Sequence, residues 1–391
     1  MKRVCFIRII KKQSITHIDW QFQNVKPFEL IAELPTSFCE GNYPIEIIDY
    51  NDLDSNTSLV VSLTSTDVND AFHLDALKKV FNTNCKNIFI DLSTHDHQEI
   101  PIQIYEFCRM ECNKELYFLD KNLIDVADDI IYYEQHMWHA INSVVPNRVL
   151  NNFKQLNDWE KPHIRSKKGL FLSGHIRFHK LELLNHFYEK GLLDENFIWS
   201  STDETWEPES FRQFIPFDKE AEYRKFKILE RIPHMPDFDF NQIKKQGGYS
   251  PNANIVHYLS TYFEIILETQ FYHKDTNDYC STRSDWNNIS EKTFKAIRLG
   301  NPFIMVSKPN TLKLLKDKFG FDFEMKGWMH EYDSIQNDTT RMESIKNKIE
   351  SVLQYDNLHD LYYEYFTHKF NNDIFIENFY NQTLNIIFNK F

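Results

Sequence analysis

The seventeen residues Ser290-Glu-Lys-Thr-Phe-Lys-Ala-Ile-Arg-Leu-Gly-Asn-Pro-Phe-Ile-Met-Val306 hold the side chains best suited to chemistry in this chain. Ser290 is a good N-cap, Gly300 falls where a left-handed residue closes a helix, and Pro302 prevents continuation. The spacing predicts a helix of about three turns feeding the buried strand Phe303–Val306. Its first turn sets a carboxylate, Glu291, and an ammonium, Lys292, beside backbone N–H groups that have no partner within the helix and attract anions. This arrangement suits a nucleoside diphosphate, with Lys292 on phosphate oxygens and Glu291 or a nearby carboxylate accepting from ribose hydroxyls. A capped helix with Glu and Lys in solvent is the plainer reading of the same residues.

A second group lies upstream. In Leu170-Phe-Leu-Ser-Gly-His-Ile-Arg-Phe-His-Lys180 a strand passes through Ser173 and Gly174 into a helix beginning near Arg177. Gly174 lets backbone approach a ligand, Arg177 adds a guanidinium to the helix N-terminus, and Lys180 lies one turn further on. His175 and His179 have the spacing of two zinc ligands, but no third ligand stands at a recognisable distance, so no metal is expected. A transfer to an acceptor hydroxyl would also need a general base. Asp91, His95, Asp96 and His97 follow a strand and should emerge at a sheet's carboxyl edge, where α/β proteins bind ligands. Glu40, in the loop Ser37–Gly41, is a further candidate. For each of these the ordinary alternative is a solvated loop position.

The Ser290-Glu-Lys-x-x-x-Ala-x-x-x-Gly-x-Pro-x-x-x-Val pattern resembles the donor-site helix of α1,3-fucosyltransferase-like enzymes, which reads Thr-Glu-Lys, then Ala, Gly, Pro and a Val-rich strand. Two more blocks fall in the same order as in that family. Leu170–Lys180 resembles its strand, loop and Arg-bearing helix start, and Tyr262-Phe-Glu-Ile-Ile-Leu-Glu-Thr-Gln-Phe271 resembles its strand ending in an acidic residue. The resemblance spans roughly residues 168–335. It implies a two-Rossmann, GT-B type glycosyltransferase that binds a nucleotide-sugar donor. Arg177 and Lys292 would then hold the phosphates and Glu268 and Glu291 the nucleoside; the loop and cap readings above add Ser173, Gly174, Lys180 and Ser290 to the expected donor set. Thr269 stands where the family has Asn, and its N-terminal catalytic segment has no counterpart, so donor sugar and acceptor do not carry over.

Elements able to position these residues can be read from hydrophobic periodicity. Apolar runs at Val4–Ile10, Glu46–Asp49, Ser58–Thr64, Asn87–Leu92 and Leu116–Leu119 have the length and composition of buried parallel strands. A helical pattern at Asp75–Phe81 separates two of them, as in a doubly wound sheet. From Asp125 to Trp159 the pattern turns helical. A second alternation follows: strand Gly169–Ser173, helix Arg177–Lys190, strands Phe197–Ser200 and Tyr262–Glu268, a helix from Glu291, and strand Phe303–Val306. Pro309–Gly320 reads as a helix with Pro at its first position. The expected architecture is α/β, with two Rossmann-like domains facing a cleft and C-terminal helices packing back. The expected domains are an N-terminal acceptor domain over 1–150, a linker over 151–167, a nucleotide-sugar domain over 168–340 and helices over 341–391.

Composition narrows the function classes. Of the formal charge of −13, the acidity lies mainly in residues 1–150, with 13 Lys and Arg against 22 Asp and Glu; residues 151–350 carry 29 against 30. An acidic first half disfavours DNA as a partner, although a modified DNA base remains on the list of hydroxyl acceptors beside glycans, lipid-linked sugars and proteins. The six cysteines form no CxxC pair and read as free thiols in the cytoplasm. No apolar run is long enough for a membrane span. The Asn-, Ile-, Lys- and Phe-rich composition suggests a viral or bacterial source. There is no Gly-x-Gly-x-x-Gly, Walker loop or Gly-x-Ser-x-Gly elbow. The resulting expectation is a metal-independent glycosyltransferase without a cofactor. Two rivals are a catalytically silent nucleotide- or carbohydrate-binding protein, and a metal-dependent GT-A enzyme using Asp52-Leu-Asp54 or Asp237-Phe-Asp239.

Overall fold

The computed structural model describes residues 1–13, 18–24, 43–63, 71–92, 102–120, 128–133, 137, 141, 145, 147–159, 165–173, 177–201, 219–232, 234, 256–268, 270–272, 289–325, 327–369 and 372–391. They form two compact units: Met1–Trp138 joined by Asn378–Phe391, and His139–Glu377.

In the first unit the order is β1 (Lys2–Gln13), β2 (Ile18–Asn24), β3 (Ile45–Ile47), β4 (Thr57–Leu63), α1 (Ala71–Phe81), β5 (Asn87–Asp91), α2 (Ile102–Glu111), β6 (Glu115–Asp120) and β7 (Ile130–Tyr132). The sheet runs β2-β1-β4-β5-β6-β7, with β3 also on β1. Only β2 is antiparallel among these pairings. Alternation along the strands decides what each face buries. Cys5, Ile7, Ile9, Leu59, Val61, Ile88 and Ile90 share one core with Ala76, Leu77 and Val80 of α1. On the opposite face, the Phe391 ring lies 6.4 Å from that of Phe6 and 4.8 Å from that of Phe89, edge-on to both. The chain's last residues thus complete the first unit's core.

The second unit contains α3 (Asn147–Trp159), β8 (Gly169–Ser173), α4 (Phe178–Glu189), β9 (Phe197–Ser201), β10 (Phe263–Leu267), α5 (Glu291–Leu299), β11 (Phe303–Val306), α6 (Thr311–Phe319), α7 (Asp338–Leu353) and α8 (Leu358–Lys369); α9 (Asn372–Lys390) begins here and ends in the first unit. Its parallel sheet runs β11-β10-β8-β9. Gly169 sits in register with Phe197 on one side and Phe263 on the other. A Cβ there would come within 2.6 Å of the Phe197 ring and 2.9 Å of Phe263, so glycine is what lets these two aromatics close the sheet over β8.

Both units are therefore α/β with parallel sheets, as the alternating runs imply. The expected strands correspond to β1, β3, β4, β5, β6, β8, β9, β10 and β11. Two strands differ from expectation. β2 alternates apolar and polar residues from Ile18 to Gln23, so it is no continuous apolar run, and it pairs antiparallel with β1. β7 lies inside the stretch read as helical, where three residues pair with Phe118–Asp120 of β6; edge pairing outweighs a weak helical periodicity. Helix α3 covers 147–159, across the start of the stretch read as a linker. Pro309 precedes the α6 N-cap Asn310 and is not the first helical residue. The helix N-terminus is instead capped from a distance: the Asp333 carboxylate accepts from the backbone N–H groups of Leu312 and Lys313, each at 3.1 Å. Among the described residues Cys5, Cys85, Cys108 and Cys112 are free thiols, and burial pushes Cys5 and Cys108 up to about 12. No helix among those residues is long and apolar enough to cross a membrane.

Candidate functional site

The order of the second sheet fixes where a ligand site can form. From β8 the chain moves outward to β9, and from β10 it moves the other way to β11. With right-handed connections, α4 and α5 then cover opposite faces, and the carboxyl ends of β8 and β10 border the point where the winding reverses. Ser173 ends β8, Glu268 follows β10, Arg177 precedes α4, and Ser290 precedes α5. Both helices direct their amino ends to this edge.

At the α5 end, Ser290 has extended backbone and its Oγ accepts from Lys292 N at 3.4 Å, while Gly300 closes the helix at φ 63°. Both caps agree with the expectation from sequence. Glu268 is fully buried. Its Oε1 accepts from Ser290 N at 3.1 Å and from the Thr293 hydroxyl. Its Oε2 is buried with no hydrogen-bond partner among the described residues. One oxygen therefore ties β10 to the start of α5, and the other keeps its acceptor capacity.

At the α4 end, Arg177 occupies the N-cap in an extended conformation without a side-chain cap. Lys180 is buried, and burial holds its ammonium well below the usual range. Lys292 and Arg177 push in the same direction, whereas Glu268 and Glu291 pull back. Four of the expected donor residues, from both helix ends, thus act on the buried Lys180. Ser173 is buried beside them in sequence, its Oγ lacking a hydrogen-bond partner among the described residues. Glu291 and Lys292 are half-buried. Gly174 lies outside the described residues.

His179 is tied down internally. Its Nε2 is 3.0 Å from the Glu268 carbonyl and its ring stacks on Phe271 at 5.4 Å. Burial, with the Lys180 charge beside it, keeps this imidazole neutral far below its ordinary pKa. Among the described residues no three His, Cys, Asp or Glu side chains gather as metal ligands. Asp54 closes a turn, accepting from Thr57 Oγ1 at 2.7 Å and Asn56 N at 3.0 Å and pairing with Arg3. Asp52 is exposed, and Asp237 and Asp239 lie outside the described residues.

One buried carboxylate, near the amino end of β10 and away from the site's edge, escaped the sequence reading. Glu264, buried on the same face of β10 as Glu268, accepts from the Tyr258 hydroxyl at 2.6 Å. Burial raises its pKa against the pull of Lys295 and Lys292, and Glu268 adds to the rise. The signal was available: two carboxylates four apart on a strand must share a face. In the first unit, Asp91 is buried at the carboxyl end of β5. His95, Asp96, His97 and Glu40 lie outside the described residues.

No family model and no curated protein matches the chain. Among solved structures, it is similar to the N-terminal domain of trehalose-6-phosphate phosphatase from Candida albicans, with 11% identity and a TM-score of 0.34 over 98% of this chain and 97% of that one. It is also similar to the wall teichoic acid polymerase TagF, solved as an H444N variant with CDPG, with 11% identity and a TM-score of 0.29 over 92% and 85%. At these scores neither likeness bears on function.

Proposed function

We propose that the chain is a metal-independent glycosyltransferase whose nucleotide-sugar donor binds at the carboxyl edge of the second unit's sheet, between β8 and β10. The observation that carries this reading is geometric: the amino ends of α4 and α5, bearing Arg177 and Lys180 on one and Glu291 and Lys292 on the other, flank the winding reversal, and the buried Glu268 carboxylate is tied to the start of α5 there. The cations and the helix N-termini suit a diphosphate, and the carboxylates suit ribose hydroxyls. The resemblance of Leu170–Lys180, Tyr262–Phe271 and Ser290–Val306 to the α1,3-fucosyltransferase-like donor domain implies the same tasks for Arg177, Glu268, Glu291 and Lys292.

In this reading Arg177, Lys180 and Lys292 stabilise the negative charge that grows on the departing nucleoside diphosphate, replacing the divalent ion other transferases use. Glu268, held by Ser290 and Thr293, presents Oε2 to the nucleoside. Asp91, His95, Asp96 and Glu40 remain the candidate bases for an acceptor hydroxyl on a glycan, lipid-linked sugar, protein or modified base. The test is calorimetric titration of the full chain with GDP, UDP and CMP and their sugars, with and without EDTA, on the parent and Lys292→Ala. Saturable, EDTA-insensitive binding lost in Lys292→Ala is the expected result. If no nucleotide binds, the donor assignment falls; if one binds but no sugar is ever transferred or hydrolysed, the chain is a silent nucleotide-binding protein.

A further inference from the structure

The first sheet carries a polar row that the donor reading does not use. Arg8 on β1 is in register with Ser62 on β4, and Ser62 with Asp91 on β5. Residues in register across parallel strands share a face, so the three side chains line one face near the carboxyl edge. This is also where the first sheet's winding reverses: β3 lies on one side of β1, and β4 to β7 run out on the other. Earlier along the same face the rows are filled by Phe6 and Phe89 under Phe391.

Arg8 is half-buried, and its Nε and Nη2 are buried with no hydrogen-bond partner among the described residues. Those two nitrogens form one edge of the guanidinium, whose paired N–H groups match two oxygens of a phosphate or carboxylate. Ser62 Oγ, on the adjacent strand, is likewise buried and unbonded. A buried cationic donor without an acceptor is costly and rare. It persists in a fold where something else supplies the acceptor.

We propose that Arg8 and Ser62 form an oxyanion-binding site in the first unit, taking a phosphate or carboxylate group of a ligand. Asp91 stands about two strand spacings, roughly 10 Å, from Arg8, so a ligand long enough to reach it would be an anionic compound that also carries a hydroxyl. The site is independent of nucleotide binding in the second unit.

The test uses the full chain carrying Lys292→Ala, which removes the rival phosphate site, in chloride buffer. Inorganic phosphate and acetate are titrated calorimetrically into this chain and into versions with Arg8→Met, Arg8→Lys or Ser62→Ala added. Saturable binding of at least one anion is expected, weakened about 20-fold or more by Arg8→Met, the loss of charge-assisted hydrogen bonds, and less by Ser62→Ala. Which anion binds identifies the group. Ligand-free Arg8→Met should melt at or above the parent temperature, because Nε and Nη2 bond to none of the described residues. Arg8→Lys, which keeps the charge without the fork, should fold normally and bind weakly, and it decides the matter if Arg8→Met does not fold. Binding of neither anion, or equal binding by Arg8→Lys and the parent, overturns the site.

Discussion

Lys180 is held in opposed circumstances: it is buried beside two cations, yet lies where the proposed diphosphate would sit. In the ligand-free protein, burial and the charges of Lys292 and Arg177 depress its pKa. A bound diphosphate would raise it again. Between the depressed value and the ordinary 10.5, binding must take up protons and affinity must fall as pH rises. Titrating the nucleotide that binds in buffers of different ionisation enthalpy measures this directly; identical heats in all buffers would remove Lys180 from the phosphate site. The same tension makes Lys180→Met a sharp variant. Lys180→Met should weaken nucleotide binding roughly 10- to 100-fold in the same titration. A variant that melts lower and binds normally would make Lys180 a structural residue. Lys180 could be named from sequence through helical spacing from Arg177. Its burial could not, because that depends on which strands meet beneath α4.

The helix that carries Glu291 and Lys292 is fixed at its far end by Arg298, which the sequence shows only as a basic residue in a last helical turn. In the structure its guanidinium is fully buried. Nε donates to the Val145 carbonyl at 2.6 Å, Nη2 to Asn147 at 2.8 Å and Nη1 to Glu377 at 2.8 Å. Two segments distant in sequence, 145–147 and the stretch at Glu377, thus converge on one side chain, and no local pattern announces such a partner set. Arg298→Met should destabilise the second unit by about 3 kcal/mol, because acceptors that met a buried cation lose it. Chemical denaturation would show a lower midpoint, and an unchanged midpoint would mean that those contacts contribute nothing. Gly169→Ala should also destabilise, by about 1–3 kcal/mol, because Phe197 and Phe263 must both give way. The strands were legible because buried parallel strands are nearly continuous apolar runs. β2 and β7 are not such runs: β2 alternates Ile18, Trp20 and Phe22 with Asp19, Gln21 and Gln23, a half-buried strand signal that continuous apolar runs do not capture, and β7 is a three-residue edge strand that owes its form to the neighbour it pairs with.

The chain's last fourteen residues, Asn378–Phe391, belong to the first unit although all of His139–Glu377 intervenes. Phe391 is what secures them. Its ring packs on Phe6 and Phe89, and its carbonyl oxygen accepts from Lys86 Nζ at 2.9 Å and from Ser58 Oγ at 3.3 Å. The aromatic pattern of the C-terminal stretch foretold helices packing back, but a periodicity names a buried face and not the surface that buries it. Phe391→Ala should destabilise the first unit by about 3–5 kcal/mol, the usual loss for a buried phenylalanine. Ligands then offer a way to assign the transitions in a calorimetric melt. A nucleotide bound at the β8–β10 edge should raise the transition of the second unit, whereas Phe391→Ala should lower that of the first. If both perturbations shift a single transition together, the two sheets unfold as one cooperative body and the stability of each depends on the other. If they separate, the nucleotide-stabilised transition identifies the unit that holds the donor without any assay of transfer.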